Sequence, residues 1–237
     1  MKKIVLVALS AFVLSCNGLA GDGFKISGEI KGMADGTSVF LEKQDPKTGV
    51  VAVDTVKVLK GSFTFEGKAA EPEIHSVRFD KTQGGFMVVV EPGNIKAVVN
   101  KDSIQMAKVT GTSNNDEIVK YNVEMMKIQK KAMAFQEKNA AQIQAAQQSN
   151  DTVFLNKLGK EFKKFQDEFV ASNAKYVDAN PKSFITVLLI EGMFQQNPDF
   201  AKIQKYYDAL STEMKNTKPG KSIKTKLGEQ KKSSLKK

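Results

Sequence analysis

The spacing of apolar residues changes at Gly111, and this change constrains the fold more than any other feature of the sequence. Before it, apolar and polar residues alternate in short runs, as in FKISGEI at residues 24–30. A period of two is typical of strands with one buried face. Turns separate the runs and no helical pattern lies between them, which favours antiparallel strands over a parallel α/β sheet. The predicted strands are 24–30, 37–43, 51–59, 62–66, 74–80, 86–91, 95–100 and 104–109.

These runs predict an antiparallel β-sandwich over residues 24–112. The stretch LKGS at 59–62 reads as a tight hairpin in which Gly61 takes a positive φ. In EPGN at 91–94, Pro92 precedes Gly93, the order that a type II turn favours. With the helical pattern that follows, the predicted fold class is α+β.

After Gly111 the apolar residues recur every three or four positions, which predicts a helical region over residues 113–215. Ser113, with Asp116 three residues later, predicts an N-cap close to a capping box. Two amphipathic stretches separated by the polar SNDT at 149–152 predict a long antiparallel helical hairpin. Its seam comprises Ile118, Tyr121, Met125, Ile128, Ala132 and Phe135 in the first helix and Leu155, Leu158, Phe162, Phe165 and Phe169 in the second.

Two Asn-Pro pairs predict the starts of later helices. Asn180 and Asn197 are each followed by proline, the residue favoured at the first helical position. Residues 184–194 are apolar on every side, so that helix is expected to be buried. A final amphipathic face contains Phe200, Ile203, Tyr207, Leu210 and Met214.

The net charge of +10 belongs to the ends of the chain and not to its body. Residues 215–237 contain nine Lys against the single acid Glu229, and Lys2 and Lys3 supply the rest, so residues 16–214 sum to zero. Arg78 is the sole Arg, although Arg is the residue that reads guanine and clamps phosphate with two hydrogen bonds. We therefore expect no nucleic-acid partner. Residues 216–237 are interpreted as a Lys-rich tail, disordered from residue 218, because so few apolar residues cannot form a core.

The only cysteine, Cys16, follows a short basic start and an apolar run over residues 4–14. This order is typical of a secretory signal. A cysteine directly after Val-Leu-Ser resembles a bacterial lipobox, so residues 1–15 are interpreted as a lipoprotein signal peptide. Cys16 is then the lipidation site and residues 16–23 form a tether. The alternative is an ordinary signal peptide cut near Ala20. In both cases Cys16 is not a redox residue, because there is no second cysteine to pair with it.

No group of residues in the sequence forms a recognisable catalytic or metal-binding motif. The sole histidine, His75, lacks the Cys or carboxylate set that zinc requires, and no nucleophile motif accompanies it. Glu71 and Glu73 are interpreted as a solvated turn, and Asp54 as a strand-end carboxylate. We assign no catalytic residue, no metal ligand and no cofactor.

The stretch DTVKVLKGSFTFEGKAAEP at 54–72 resembles a β-rich domain of unknown function. That domain is commonly the N-terminal domain of lipid-anchored, periplasm-facing proteins related to the thiol:disulfide interchange family. VEPGNIKAVV at 90–99 and VTGTSNND at 109–116 are similar to its later strands and to the segment that follows its last strand. The resemblance implies structural roles for the motif residues Asp54, Thr55, Gly61, Phe63, Phe65, Gly67, Pro72, Glu91, Gly93 and Gly111.

In those relatives a helical segment follows the domain, and a thioredoxin-like domain with C-x-x-C comes next. YVDANPKSFITVLL at 176–189 and YYDALSTEMKNTKPGKSI at 206–223 look similar to the helical segment. The resemblance therefore covers residues 24–223. The sequence stops at Lys237, where the thioredoxin-like domain would begin, so the redox pair has no counterpart in these 237 residues.

Together these features predict a lipid-anchored, non-enzymatic binding or scaffold protein of the bacterial envelope, facing the periplasm or attached to the outer membrane. Its expected partners are the membrane, through the lipid, and a protein of the envelope. One alternative is the front portion of a thiol:disulfide oxidoreductase whose C-x-x-C domain lies beyond Lys237. A second is a carbohydrate- or peptide-binding module that uses the sandwich edge or the helical arm, with Tyr121, Tyr176, Tyr206 and Tyr207 as aromatic candidates.

Overall fold

The structure is a computed structural model that describes residues 21–45, 47–195 and 198–234. Its N-terminal part contains two four-stranded sheets, with the strand orders β4-β1-β7-β8 and β3-β2-β5-β6. The strands are β1 Gly23–Lys31, β2 Ser38–Asp45, β3 Gly49–Lys57, β4 Ser62–Lys68, β5 Glu73–Phe79, β6 Gly85–Val90, β7 Gly93–Asn100 and β8 Lys108–Thr110. Helices follow, so the α+β class is confirmed.

The two sheets enclose one apolar core built mainly from alternate residues of the strands, to which β3 adds only the partly buried Val56. In β1 the even-numbered residues from Phe24 to Ile30 are buried, as a period of two requires. The rings of Phe63 and Phe79, which come from different sheets, meet edge to face with centroids 5.5 Å apart. The sheets are therefore held together mainly by apolar packing.

One strand pair departs from the antiparallel prediction. β1 and β7 run parallel at the centre of their sheet, in register from Phe24 opposite Gly93 to Lys31 opposite Asn100. All other paired strands are antiparallel. A parallel pair needs a long connection between its strands, and here the connection contains β4 and all four strands of the other sheet.

The predicted strand at 104–109 is wrong over most of its length. Lys101–Met106 is a 3₁₀ helix, and only Lys108–Thr110 is a strand. The Asn100 side chain accepts a hydrogen bond from the Asp102 backbone N–H at 3.0 Å, which starts the helical turn. Ile104 is 3% exposed and packs into the core from this turn.

The turn between β3 and β4 has the predicted form. Lys60 and Gly61 have φ of 50° and 70°, so both take the left-handed conformation. Leu59 and Ser62 exchange backbone hydrogen bonds at 2.8 and 3.0 Å. A two-residue loop of this kind suits glycine at its second position.

α1 (Ser113–Gln148) and α2 (Thr152–Ala179) form the predicted antiparallel hairpin. Phe135 and Phe165 meet in its seam with ring centroids 5.5 Å apart. The capping prediction for α1 is wrong, because the N-cap is Thr112 and its side chain makes no capping bond. Asp116 instead accepts a hydrogen bond from the Gly111 backbone N–H at 3.0 Å.

The helices after the hairpin build a second core around α3. They are α3 Phe184–Gly192, α4 Phe200–Ala209, α5 Thr212–Asn216 and α6 Lys218–Ser234. The predicted start at Asn180 is wrong, because Asn180 ends α2 and Ser183 caps α3 through a bond from Ile185 N–H at 3.1 Å. Asp199 caps α4, and Asn197 lies outside the described residues.

The prediction of a disordered tail is wrong for residues 218–234, which form α6. Ile223 and Leu227 are 0% and 5% exposed and belong to the second core. They lie four positions apart, on one face, while the Lys residues occupy the other faces. The helical region therefore continues past residue 215 to Ser234.

Within the described ranges, none of the helices combines the length and the apolar character that a membrane crossing requires. The predicted signal peptide and Cys16 fall outside those ranges.

Candidate binding cleft

The candidate site lies between two strands that follow one another in the chain but belong to different sheets. β3 is the edge strand of one sheet and β4 the edge strand of the other. Between the two edges is a cleft of about 450 Å³, lined by Val53 and Asp54 from β3 and by residues 66–68 from β4. We call this space the edge cleft. Its volume is within the range of small-ligand sites.

A β-bulge in β3 brings Val53 and Asp54 to the edge cleft together. Leu41 of β2 pairs with Asp54, and the next residue, Glu42, pairs with Ala52, so Val53 has no partner on β2. In a regular strand neighbouring side chains point to opposite faces, whereas a bulge redirects one of them. Both residues therefore line the cleft, although they are adjacent in sequence.

The inner wall of the edge cleft contains apolar residues and His75. The His75 side chain is 6% exposed, and its Nδ1 lies 3.3 Å from the carbonyl oxygen of Glu73. Burial lowers the pKa of His75 below its ordinary value, against smaller opposing effects of Glu73. The imidazole is therefore neutral at pH 7 and presents a hydrogen-bonding group without a charge.

One end of the edge cleft is closed by α6. Lys218 donates its backbone N–H to Glu71 Oε2 at 2.9 Å, and its Nζ donates to Glu73 Oε1 at 3.1 Å. A carboxylate at a helix N-terminus is favourable because the first N–H groups have no partner within the helix. Pro72 lies between these two residues in the sequence. Glu71 and Glu73 are therefore not a solvated turn but the contact between the sandwich and the last helix.

Two charged side chains of the edge cleft, Asp54 and Lys43, make no ion pair with any residue that the structure describes. Asp54 Oδ1 accepts only the backbone N–H of the exposed Thr55, at 2.7 Å. Glu66, by contrast, pairs with Lys25 at 2.8 Å. The cleft thus offers one acidic and one basic group to a ligand.

In the motif Gly61-x-Phe63-x-Phe65-x-Gly67, the two phenylalanines pack in the core and the last glycine lines the edge cleft. Phe63 and Phe65 are 3% and 0% exposed, and their rings pack edge to face at 5.9 Å. Gly67 lines the cleft, and a Cβ there would come within 2.8 Å of the Phe24 ring. A larger residue at this position would displace that ring.

The remaining motif residues lie away from the cleft, where the sandwich meets α1. Glu91 accepts hydrogen bonds from the backbone N–H of Asn114, at 3.0 Å, and from its side-chain amide. Gly93 begins β7, and Gly111 has φ of 103°. A Cβ on Gly111 would lie 2.4 Å from the Asn94 carbonyl oxygen. These residues hold the start of α1 against the sheets.

Asn115 completes this junction and is itself buried, at 2% exposed. Its side-chain amide donates to the Val89 carbonyl at 2.8 Å and accepts from the Val89 N–H at 3.0 Å. Val89 belongs to β6, the second edge of its sheet. The Asn115 amide therefore pairs with that edge in the way a neighbouring strand would.

The tyrosines lie in packing contacts of the helical region. At the base of the hairpin, Tyr121 donates to Asn173 Oδ1 at 2.7 Å and Tyr176 donates to Glu117 Oε1 at 2.5 Å. Burial, together with the Glu117 bond, raises the pKa of Tyr176. Tyr206 and Tyr207 lie in or against the second core. None of the four is among the residues that line the edge cleft.

Sequence reasoning missed the contributions of Lys43, Lys218 and His75 to one site. Lys218 is distant in sequence from the strands, and its place depends on the packing of α6. The spacing of Ile223 and Leu227 could have predicted that packing. In the part of the chain that the structure describes, no group of three or more His, Cys, Asp and Glu side chains is arranged to hold a metal ion.

Comparison with known proteins agrees with this division of the molecule. No curated protein and no solved structure matches the chain. Residues 24–118 match a domain of unknown function, DUF4369. The match ends within the first turns of α1, after Asn115, so it contains the sandwich from Phe24 onward and its junction with α1. The chain therefore carries a DUF4369 domain at residues 24–118, followed by a helical region.

Proposed function

We propose that this protein is a lipid-anchored, non-catalytic binding module of the cell envelope, and that its edge cleft takes an extended polypeptide segment. The observation that carries the proposal is that both side walls of the cleft are edge strands. No backbone hydrogen bond joins the outer edge of β3 or β4 to another segment within residues 21–45, 47–195 and 198–234. Unpaired strand edges are the groups that an added peptide strand uses.

The chemistry of the cleft supports a peptide over an apolar small molecule. The walls supply backbone donors and acceptors, and Asp54 and Lys43 supply charges of both signs. The inner wall adds the neutral imidazole of His75 and apolar surface from Phe24, Leu41 and Val90. Strand addition takes its affinity from backbone hydrogen bonds and its specificity from side-chain contacts of this kind.

The anchor rests on the sequence around Cys16, which has the order of a lipoprotein signal. The non-catalytic assignment rests on the cysteine content, because dithiol exchange needs an attacking and a resolving thiol and the 237 residues contain one cysteine. A lipid anchor and an open cleft together suit a protein that holds a partner near the membrane surface.

Selection of unstructured peptides from a displayed library, followed by titration calorimetry, tests the cleft. We expect Asp54→Lys and Lys43→Glu to weaken binding of the selected peptides about tenfold or more, because each reverses a charge that a bound peptide must face. The matched control is Lys57→Glu, an exposed charge reversal on β3 that does not line the cleft. Equal binding by all four proteins would refute the cleft as the peptide site.

A further inference from the structure

The helical hairpin has one side without charges. α1 and α2 each contain nine charged residues, and all of them avoid one face that runs along both helices. On α1 this face steps by three and four through Ile118, Asn122, Met125, Gln129, Met133, Gln136, Ala140, Ile143 and Gln147. On α2 it steps through Leu155, Gly159, Phe162, Gln166, Val170, Asn173 and Val177. We call this surface the neutral face.

The opposite side of the hairpin is charged, and several of its charges are paired. Lys131 bridges to Glu168 on the other helix at 2.7 Å. Lys127 pairs with Glu124 on α1, and Lys164 with Glu161 on α2. A surface exposed to water normally mixes charges in this way. The neutral face therefore differs from an ordinary solvated helix surface.

The neutral face contains a groove and is exposed except at its base, where Val177 is buried in the second core and Ile118 packs against that core. Met133 and Val170 are 52% and 57% exposed, and Phe169 beside them is 42% exposed. Near the base of the hairpin, α1 and α2 leave a groove of about 480 Å³ lined by apolar residues and by two glutamines, Gln129 and Gln166. Val170 also borders a second apolar hollow against α3. An exposed apolar surface of this extent is typical of a protein contact.

The far half of the hairpin offers a surface that matches this groove. Residues 139–150 contain no charged residue, and most of them are Ala or Gln. On the neutral face this tip carries the small residues Ala140 and Gly159 together with the apolar Ile143 and Leu155. An uncharged groove at one end and an uncharged surface with apolar side chains at the other end make the face complementary to itself.

We propose that two copies of this chain associate through their neutral faces, with the hairpins antiparallel, to form a four-helix bundle. The groove of each copy then receives the tip of its partner, so the contact is isologous and closes after two copies. A parallel arrangement would place groove against groove and α3 against α3. This inference does not depend on the edge cleft, which lies on the sandwich.

The size of the neutral face is sufficient for a stable dimer. The exposed part of the face runs over residues 122–148 of α1 and 152–170 of α2, about 40 Å and 28 Å at 1.5 Å per residue, and each helix is about 10 Å wide. The face therefore measures roughly 700 Å² per copy, within the range of about 600–1,000 Å² that specific interfaces of standard size bury on each partner. A two-helix hairpin buries few residues alone, and here only Asn115, Ile128 and Ala146 of α1 and Val177 of α2 are buried.

The symmetry fixes which residues meet. Antiparallel pairing that places the groove, at residues 125–132, against the partner's tip, at 140–147, puts the two-fold axis beside Gln136. Gln136 then faces Gln136 of the second copy. A charged residue at position 136 would therefore face the same charged residue of the second copy. A charge at position 134 would lie on the opposite side of α1, away from the second copy.

Sedimentation equilibrium on the full chain carrying Cys16→Ser tests the association. We expect a monomer–dimer equilibrium whose dissociation constant rises more than about tenfold in Gln136→Lys, because like charges would be buried face to face. Ala134→Lys adds the same charge at another exposed position of the helix and should leave the constant unchanged. A monomeric chain throughout the concentration series, or equal effects of the two variants, would overturn the proposal.

Disulfide trapping in the same Cys16→Ser background tests the symmetry. With no other cysteine in the chain, Gln136→Cys should form a covalent dimer under mild oxidation, while Ala134→Cys should not. Trapping at Ala134→Cys but not at Gln136→Cys would show a different interface. Trapping of Gln129→Cys in preference to Gln136→Cys would place groove against groove and overturn the pairing of groove with tip.

Discussion

Asn115 joins the sandwich to the helices through one side chain. Its amide satisfies both backbone groups of Val89 in a buried position, a task that Ala cannot perform. We expect Asn115→Ala to lower the free energy of unfolding by about 2–4 kcal/mol, because two buried backbone groups lose their partner. Asn156→Ala, at an exposed position of α2, should change it by less than about 0.5 kcal/mol. Urea denaturation of both variants measures the difference, and equal stabilities would contradict this role.

His75 makes the stability of the protein depend on pH. Because burial lowers its pKa in the folded chain, the unfolded chain binds more protons between that lowered pKa and the ordinary value of about 6.5. Stability should be complete above pH 6.5 and fall as the pH decreases through this window. His75→Gln should remove this part of the pH dependence of stability. The measurement is the difference in Tm between the two proteins at each pH.

Since His75 is the only histidine, an NMR titration of its ring assigns the effect without ambiguity. A ring that titrates at or above the ordinary pKa would contradict the burial argument.

At the scale of elements, α6 depends on close contact with α5. A Cβ on Gly220 would lie 2.2 Å from the Met214 carbonyl oxygen, so the helix must shift to accept any side chain there. We expect Gly220→Ala to destabilise the protein by about 1–3 kcal/mol through this overlap. Gly228→Ala is the control in the same helix, because nothing lies within 4 Å of its Cβ position.

Gly228→Ala should be stabilising by about 0.5–1 kcal/mol, since Ala loses less backbone entropy than Gly in a helix. The two variants should therefore move the Tm in opposite directions. Destabilisation by both would mean that α6 is not packed as described.

Elements with a regular pattern were predictable and those that depend on distant contacts were not. The alternation in FKISGEI predicts β1, and the steps from Tyr121 to Phe135 predict α1. The segment 104–109 also contains strand formers, but the turn that Asn100 starts makes most of it helical. In α6 the Lys residues outnumber the apolar residues, so the apolar face that contains Ile223 and Leu227 was not recognised in the sequence. Local composition cannot indicate that such a face has a partner elsewhere in the fold.

The edge cleft was beyond sequence reasoning for the same reason. Asp54 and Gly67 belong to a recognisable motif, but the bulge at Val53 and the docking of Lys218 are tertiary features. The sandwich edge was predicted only as one alternative binding surface. The parallel pairing of β1 with β7 left no local signal, because the alternation of a strand does not specify the direction of its neighbour.

At the scale of the whole molecule, the proposed attachment to the membrane depends on one atom, the Cys16 sulfur. We expect incorporation of a labelled fatty acid into the expressed chain, and its loss in Cys16→Ser. Each buried CH₂ of an acyl chain contributes about 0.8 kcal/mol, so diacylation is sufficient for stable attachment. Ser15→Ala keeps a small residue before the cysteine and should retain the label. A Cys16→Ser protein that is still labelled would show that the lipid is attached elsewhere.

The parallel pairing of β1 with β7 has a consequence for the order of folding. Phe24 and Gly93 are neighbours in the sheet although the chain between them contains all four strands of the other sheet, and Glu71 meets Lys218 from still further away. Contacts between distant residues form slowly, because a long loop must close before they can stabilise anything. The hairpins β2–β3 and β5–β6 should therefore form first and the β1–β7 pair later. The contact between Glu71 and α6 should form last, so one end of the edge cleft stays open in the nascent chain until its final helix is synthesised.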